Sequence, residues 1–307
     1  MGIRHKYAAT GTNDDAKQVS KDRWNEDHEI DGELLLPVAS PSAPAAAMIA
    51  IYCKQIANRA LVCQMGPSGL DTTLQAHLGG NKVALWMPPG NATTVPGVFG
   101  MGALTATGTA TARTVATTNM LTRMTRLGYV SSATAGSLAG AREPNAKYTT
   151  GAGSGLGGFF ARYRFAITDA AAVSGARAFI GLQASTGAPT NVEPSTLVNA
   201  LGVCRLSSSN NLQIYGAGAS AGTPVDLGVN FPANNPAAVY ELALFSPAAG
   251  GCYWQVTRLD TGHIASGQFA TVPLGTVLLC HQIWCTNNAT ALACAIDLCG
   301  IYIETDY

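Results

Sequence analysis

The chain has 307 residues, and Asp, Glu, Lys and Arg make up only 12% of them, where a soluble domain typically carries about 25%. Eighteen basic residues balance eighteen acidic ones, so there is no basic excess to neutralise phosphates, which argues against a nucleic-acid partner. The hydrophobic fraction is 47% and the aromatic fraction 7%: too apolar for a disordered chain and too sparsely charged for an exposed monomer surface.

The charge is uneven. Residues 1–34 hold five basic residues (Arg4, Lys6, Lys17, Lys21, Arg23) and eight acidic ones (Asp14, Asp15, Asp22, Glu26, Asp27, Glu29, Asp31, Glu33). The remaining chain therefore shares 13 basic and 10 acidic residues. Such a composition break marks a boundary. Residues 1–36 cannot build a core of their own. They read either as a solvated tail or as an attachment arm that orders on a partner, with Trp24 as its anchor.

Beyond Pro37 the texture is that of a β protein. Ser40-Pro41-Ser42-Ala43-Pro44 is linker-like, and strands are expected over 48–53, 60–65 and 83–87. Thr105, Thr107, Thr109 and Thr111 alternate as one face of an extended strand, and a short helical turn is expected within 118–127. The glycine-dense stretch 151–158 contains Gly153-x-Gly155-x-x-Gly158, formally a dinucleotide fingerprint. It runs into Phe159–Ile167, which alternates as a strand, and not into the helix such a motif requires. It therefore reads as a loop. Further strands follow over 176–184, 201–207, 212–215, 239–246, 253–259, 263–269, 277–285 and 291–304. The expected architecture is all-β: an extended arm over 1–36, a Thr/Ala/Gly-rich β region over 37–150, and a jelly-roll-like antiparallel β-sandwich over 151–307.

Catalytic signatures are hard to find. The five histidines (5, 28, 77, 263, 281) form no metal or catalytic spacing, and no G-x-S-x-G elbow is present. Glu241 and Asp226 are conceivable as a carboxylate pair but nothing links them. No cofactor or metal is called for. The longest apolar runs, Ala45–Cys53 and Leu292–Ile296, fall short of the roughly 20 residues of a membrane span. Polar residues 10–17 stand where a secretory signal would be apolar, so no membrane partner is expected and synthesis is expected in a cytoplasm.

Eight cysteines are many for that compartment. The pairs Cys280/Cys285 and Cys294/Cys299 have the wrong spacing for a zinc knuckle. A hairpin between them places Cys285 opposite Cys294 and Cys280 opposite Cys299, and a turn at 57–59 places Cys53 opposite Cys63. Two readings stay open: small buried thiols or cross-strand disulfides. Tyr253, Trp254 and Trp284 are candidates for a sugar-stacking surface. Parity puts one of Tyr253 and Trp254 in the core and the other outward.

The string Asp22-Arg23-Trp24-Asn25-Glu26-Asp27-His28-Glu29-Ile30 resembles the opening of bacteriophage tail-fibre and other virion appendage proteins. Thr109–Asn119, Arg126–Ser131, Asn191–Thr196, Tyr240–Phe245, Thr286–Ala291 and Tyr302–Asp306 resemble the same proteins. The resemblance implies a non-enzymatic virion component, an oligomer that is often a trimer. Trp24, Asn25, Asp27 and His28 would hold it to other virion proteins, and the C-terminal sandwich would face the host. Host cell-surface glycan is the ligand class this suggests. A head decoration or head-fibre protein and a virion-borne glycan-cleaving enzyme are the alternatives.

Overall fold

A computed structural model describes residues 36, 38–39, 41–46, 48–67, 71–73, 82–95, 99–153, 157–169 and 174–305. The arm, with Trp24, Asn25, Asp27 and His28, lies outside the described residues. Val38–Tyr307 forms one compact unit. Its first strands are β1 (Ala50–Ile56), β2 (Arg59–Met65), β3 (Asp71–Thr73), β4 (Lys82–Trp86), β5 (Thr105–Thr107) and β6 (Thr109–Ala112). The single helical turn α1 (Met120–Arg123) follows, capped by Asn119. Then come β7 (Leu127–Val130), β8 (Leu138–Arg142), β9 (Phe159–Ile167), β10 (Arg177–Gln183), β11 (Ala200–Arg205) and β12 (Gln213–Ala217). The chain ends with β13 (Val225–Asp226), β14 (Tyr240–Ser246), β15 (Tyr253–Arg258), β16 (His263–Gln268), β17 (Cys280–Thr286) and β18 (Ala295–Thr305).

Two antiparallel sheets form a sandwich. One holds seven strands in the order β13-β12-β11-β10-β17-β8-β5; the other holds β16-β15-β14-β9-β18-β7-β6, with β4 also pairing β18. Strand β9 shows why they close on each other. Phe159, Ala161, Tyr163, Phe165 and Ile167 all lie in the interior, while Arg162 and Arg164 point to the opposite side and pair with Glu241 of β14. A period-2 pattern with one apolar face must bury that face against a second layer. Tyr163 ties the layers together, since its hydroxyl lies 2.7 Å from Nδ1 of the fully buried His281 on β17.

Two expectations from sequence change. The break expected at residue 150 is not a domain boundary, because β4–β8 are woven into both sheets beside strands from beyond it. The alternating threonines do not form one strand. Gly108, at φ +72°, splits the run: β5 joins the seven-stranded sheet and β6 the eight-stranded one. A Cβ at position 108 would stand 2.8 Å from the carbonyl oxygens of Leu138 and Val130, so only glycine fits this crossing.

The third sheet, β1-β2-β3, packs on the outer face of the eight-stranded sheet. Ile56, Ala57 and Leu61 meet Phe160, Ala243, Phe245, Tyr253 and Tyr302 there. The β1–β2 connection is a two-residue turn, Ala57-Asn58, with both residues at positive φ (48° and 61°), the geometry that matches the strand twist. The outer face of the seven-stranded sheet is closed differently. Phe179, Cys204, Tyr215 and Trp284 are buried there beneath Leu197 and Leu206. Tyr215 donates its hydroxyl to the Leu197 carbonyl and Gln282 donates its amide to Ser185 and Gly187 carbonyls, so residues 184–199 are pinned over that sheet.

Candidate functional site

The alternation in β15 settles the aromatic pair. Trp254 turns inward and is 9% exposed, with its indole under Gly267 of β16; Tyr253 turns outward. A Cβ on Gly267 would come within 2.9 Å of the indole, so this glycine makes room for the ring. Trp284 is not a surface residue. It is 2% exposed and stacks at 6.4 Å on Phe179, because even-numbered positions of β17 face the outer side that residues 184–199 cover.

Outward residues of β15 and β16 meet the β1–β2 turn across a cleft of about 340 Å³. The turn contributes Gln55 and Asn58, β15 contributes Tyr253 and Gln255, and β16 contributes Ser266 and Gln268. Strand register places Tyr253 beside Gln268 and Gln255 beside Ser266. The Ala57 N–H donates to Gln255 Oε1 at 3.4 Å, which joins the turn to the sheet. Gln55 Nε2 donates to Asn58 Oδ1 at 3.3 Å. Behind the turn, the Arg59 guanidinium lies 4.8 Å from the Phe160 ring centroid and 5.6 Å from that of Phe245, and it pairs with Glu304. Cation–π contact and ion pairing together hold the hairpin down. No charged side chain is among the lining residues.

Elsewhere the charges face one another. Asp297 is buried between Arg113 and Arg126, with Thr168 donating a third hydrogen bond. Glu241 sits between Arg162 and Arg164. Burial pushes its carboxyl up, but the two guanidiniums outweigh burial and hold it below the usual carboxylate range. Asp226 accepts from Asn211 instead, so the two carboxylates do not form a pair. Arg205 pairs with Asp169, Arg177 with Glu193 and Arg258 with Asp260. Deep in the sandwich, Glu143 pairs with Lys147 and faces His281 Nε2 at 3.9 Å. Burial, then the Lys147 charge, lowers the His281 pKa to about 3. His263 is exposed at the start of β16, just after the turn, with Nδ1 2.7 Å from the Thr261 hydroxyl. Among the described residues no group of His, Cys, Asp and Glu is placed to hold a metal ion.

Among the described residues, none of the eight cysteines is joined in a disulfide. The hairpin expected between 280–285 and 294–299 does not form, because β17 and β18 belong to different sheets. Cys285 and Cys294 do meet, but across the sandwich interior: the Cys285 thiol hydrogen-bonds to Cys294, whose amide N–H donates to the Ser131 hydroxyl. That hydrogen bond and burial push the Cys285 thiol up. Cys280 points the other way, donating to the Ser185 carbonyl at 3.2 Å, while Cys299 packs with Leu121 and Val239 on the far side of the eight-stranded sheet. Cys280 and Cys299 are thus on opposite sides of the sandwich. Burial raises each of their pKa values to about 12. Cys53 and Cys63 miss each other by one step, because the turn has two residues, not three. Cys53 pairs with Val62 and Tyr52 with Cys63, so the two thiols lie on opposite faces.

Of the residues singled out in the sequence, the cleft takes Tyr253 and Trp254. The amides Gln55, Asn58, Gln255 and Gln268 carry no sequence signature. Only the opposite parity of Tyr253 and Trp254, which sends one of them outward, pointed to this face.

No family model and no curated protein sequence matches the chain. Among solved structures, it is similar to peanut lectin in complex with a nine-residue peptide (TM-score 0.49, 11% identity, covering 73% of this chain and 97% of that one). It is also similar to a protein of unknown function from Shewanella oneidensis MR-1 (TM-score 0.47, 14% identity, 76% and 90%). Lectin II from Ulex europaeus gives a TM-score of 0.45 at 14% identity over 66% and 93%.

Proposed function

We propose that the protein is a non-enzymatic virion component of the bacteriophage tail-fibre or related appendage type. The charged arm attaches it to other virion proteins, the body packs against two further copies of itself, and the sandwich contacts host-surface glycan. The observation that carries the reading is where the body's charges go. Among the described residues, nine of its 13 cations and seven of its 10 carboxylates pair with each other. A body already poor in charge therefore neutralises most of it within its own ion pairs. Large apolar side chains stay outside: Ile51 is 58% exposed, Met87 62% and Phe99 65%. Such a surface suits burial against other chains more than a freely soluble monomer. The cleft is lined by amides, a hydroxyl and aromatic rings, with no carboxylate or histidine among its lining residues, which supports adhesion over turnover.

Deleting residues 1–36 tests the arm. The truncated chain should fold and oligomerise with the mass of a trimer, yet fail to enter particles. A truncated chain that still incorporates, or a full chain that stays monomeric and never joins a particle, overturns the reading. Particles that carry the protein tightly on the head, with no host-cell binding, would establish the head-decoration alternative. Degradation of purified capsule or lipopolysaccharide would establish the enzymatic one.

A further inference from the structure

The cleft between the Ala57-Asn58 turn and the β15–β16 edge is unlike the rest of this surface. It brings together four amide side chains, a hydroxyl and an outward tyrosine ring, with no charge. We propose that it is a binding site for an uncharged sugar, a neutral hexose or N-acetylhexosamine unit, and that the β1–β2 hairpin supplies two of its four amides. This rests on the adhesion reading above and narrows it.

The chemistry of the lining makes the choice. An amide both donates and accepts, as does each sugar hydroxyl, so Gln55, Asn58 and Gln268 can match adjacent hydroxyls without any change of protonation. The Tyr253 ring offers a negative π face to the weakly positive C–H face of a pyranose. Ser266 and Gln268 make no side-chain hydrogen bond among the described residues, which leaves both to a ligand. A carboxylate or phosphate is disfavoured, because desolvating an anion requires a cation or several converging N–H groups. The Arg59 guanidinium beside the turn is taken up by Glu304 and two aromatic rings. The volume lies at the small end of ligand sites, about 300–1,000 Å³, and suits one or two sugar units.

Arg59 then acts as a positioning residue. It touches no ligand, but its contacts with Glu304, Phe160 and Phe245 hold the turn at the distance where Gln55 and Asn58 face Tyr253 and Gln268.

The test uses the full chain on immobilised oligosaccharides of glucose, galactose and N-acetylglucosamine, beside sialylated and uronic-acid oligosaccharides. Binding is expected to uncharged members, with less than about a twofold change in affinity between 0.05 and 0.5 M NaCl, since screening acts on charges. Tyr253→Ala should weaken it about tenfold or more, while Tyr253→Phe keeps most of it. Asn58→Gly preserves the positive φ of the turn and removes only the amide, so a loss of several-fold there is not a folding effect. Arg59→Met combined with Glu304→Gln, which leaves no buried carboxylate without its cation, should weaken binding while the sandwich still folds and unfolds cooperatively. Binding confined to acidic glycans, strong suppression by salt, binding indifferent to Tyr253→Ala and Asn58→Gly, or binding to none of these glycans overturns the proposal. Particles that still adhere to host cells with Tyr253→Ala would sink this site and leave the adhesion reading standing.

Discussion

The two outer faces of the sandwich are covered by different means. On the seven-stranded sheet, Phe179, Tyr215 and Trp284 disappear beneath residues 184–199, which are fastened by main-chain hydrogen bonds from Tyr215 and Gln282. That cover leaves Phe179, Tyr215 and Trp284 no more than 2% exposed. On the eight-stranded sheet the cover is a separate hairpin held by Arg59 and an aromatic cluster, beside the ion pairs of Glu241 and Asp297. That cover is incomplete, and the gap it leaves is the cleft. A β-sandwich thus carries a binding surface where its own chain stops short, and the composition of the gap, not the fold, sets what enters it.

The largest effect that sharpens this contrast is on the closed face. Trp284→Ala should cost about 3–5 kcal/mol of stability, measured by chemical denaturation. Tyr253→Ala, on the open face, should cost under about 1.5 kcal/mol and act on binding. Equal costs would erase the distinction between a sealing ring and a ligand-facing one. Next, Asp297→Asn leaves Arg113 and Arg126 facing each other across a buried site, a loss of about 3 kcal/mol; Arg113→Met in that background should recover part of it. Full stability in Asp297→Asn would mean that the ion pairs on this face are ornamental.

A smaller effect comes from the interior, which both faces share. The pKa of His281 falls to about 3 in the folded protein from an ordinary 6.5, so the unfolded chain binds the proton first. Its contribution is therefore complete above about pH 6.5 and is lost as pH falls towards 3. Between pH 7.5 and 5 the melting temperature should drop by several degrees, and the drop should shrink in His281→Gln. The carboxylates held low, Glu241 and Asp260, titrate below this window. An unchanged slope in His281→Gln would remove His281 from the account. The smallest effect is in the hairpin: Ala57→Gly relieves a positive φ of 48° but removes a methyl buried against the aromatic cluster and adds unfolded-chain entropy, so stability should change by under about 1 kcal/mol, with sugar affinity unchanged.

Much of the sandwich was legible from residues alone, for a local reason. In β9 and β15, side chains alternate between a core and an exterior, so parity alone marked 159–167 as a strand and separated Trp254 from Tyr253. What was illegible depends on which strands become neighbours. The threonine run looked continuous because Gly108 was read as part of a strand, yet it marks a passage between sheets. The cysteine register assumed that β17 and β18 pair with each other. They face across the core instead, which brings Cys285 to Cys294 and sends Cys280 and Cys299 apart. The cleft was the least legible feature. Its amides lie about 200 residues apart in sequence, and Gln and Asn on exposed strands look the same whether or not a ligand uses them. The charge break at residue 34 remains the clearest sign of an arm, and Trp24, Asn25, Asp27 and His28 are where its attachment should be tested.

Amide hydrogen exchange with and without an uncharged oligosaccharide selected on the array tests the central contrast most directly. The account predicts slowed exchange in the β1–β2 turn and along β15–β16, with no change in residues 184–199 or in β10–β12. Protection over the seven-stranded face, with none at Gln55–Asn58 or Tyr253–Gln268, would contradict it.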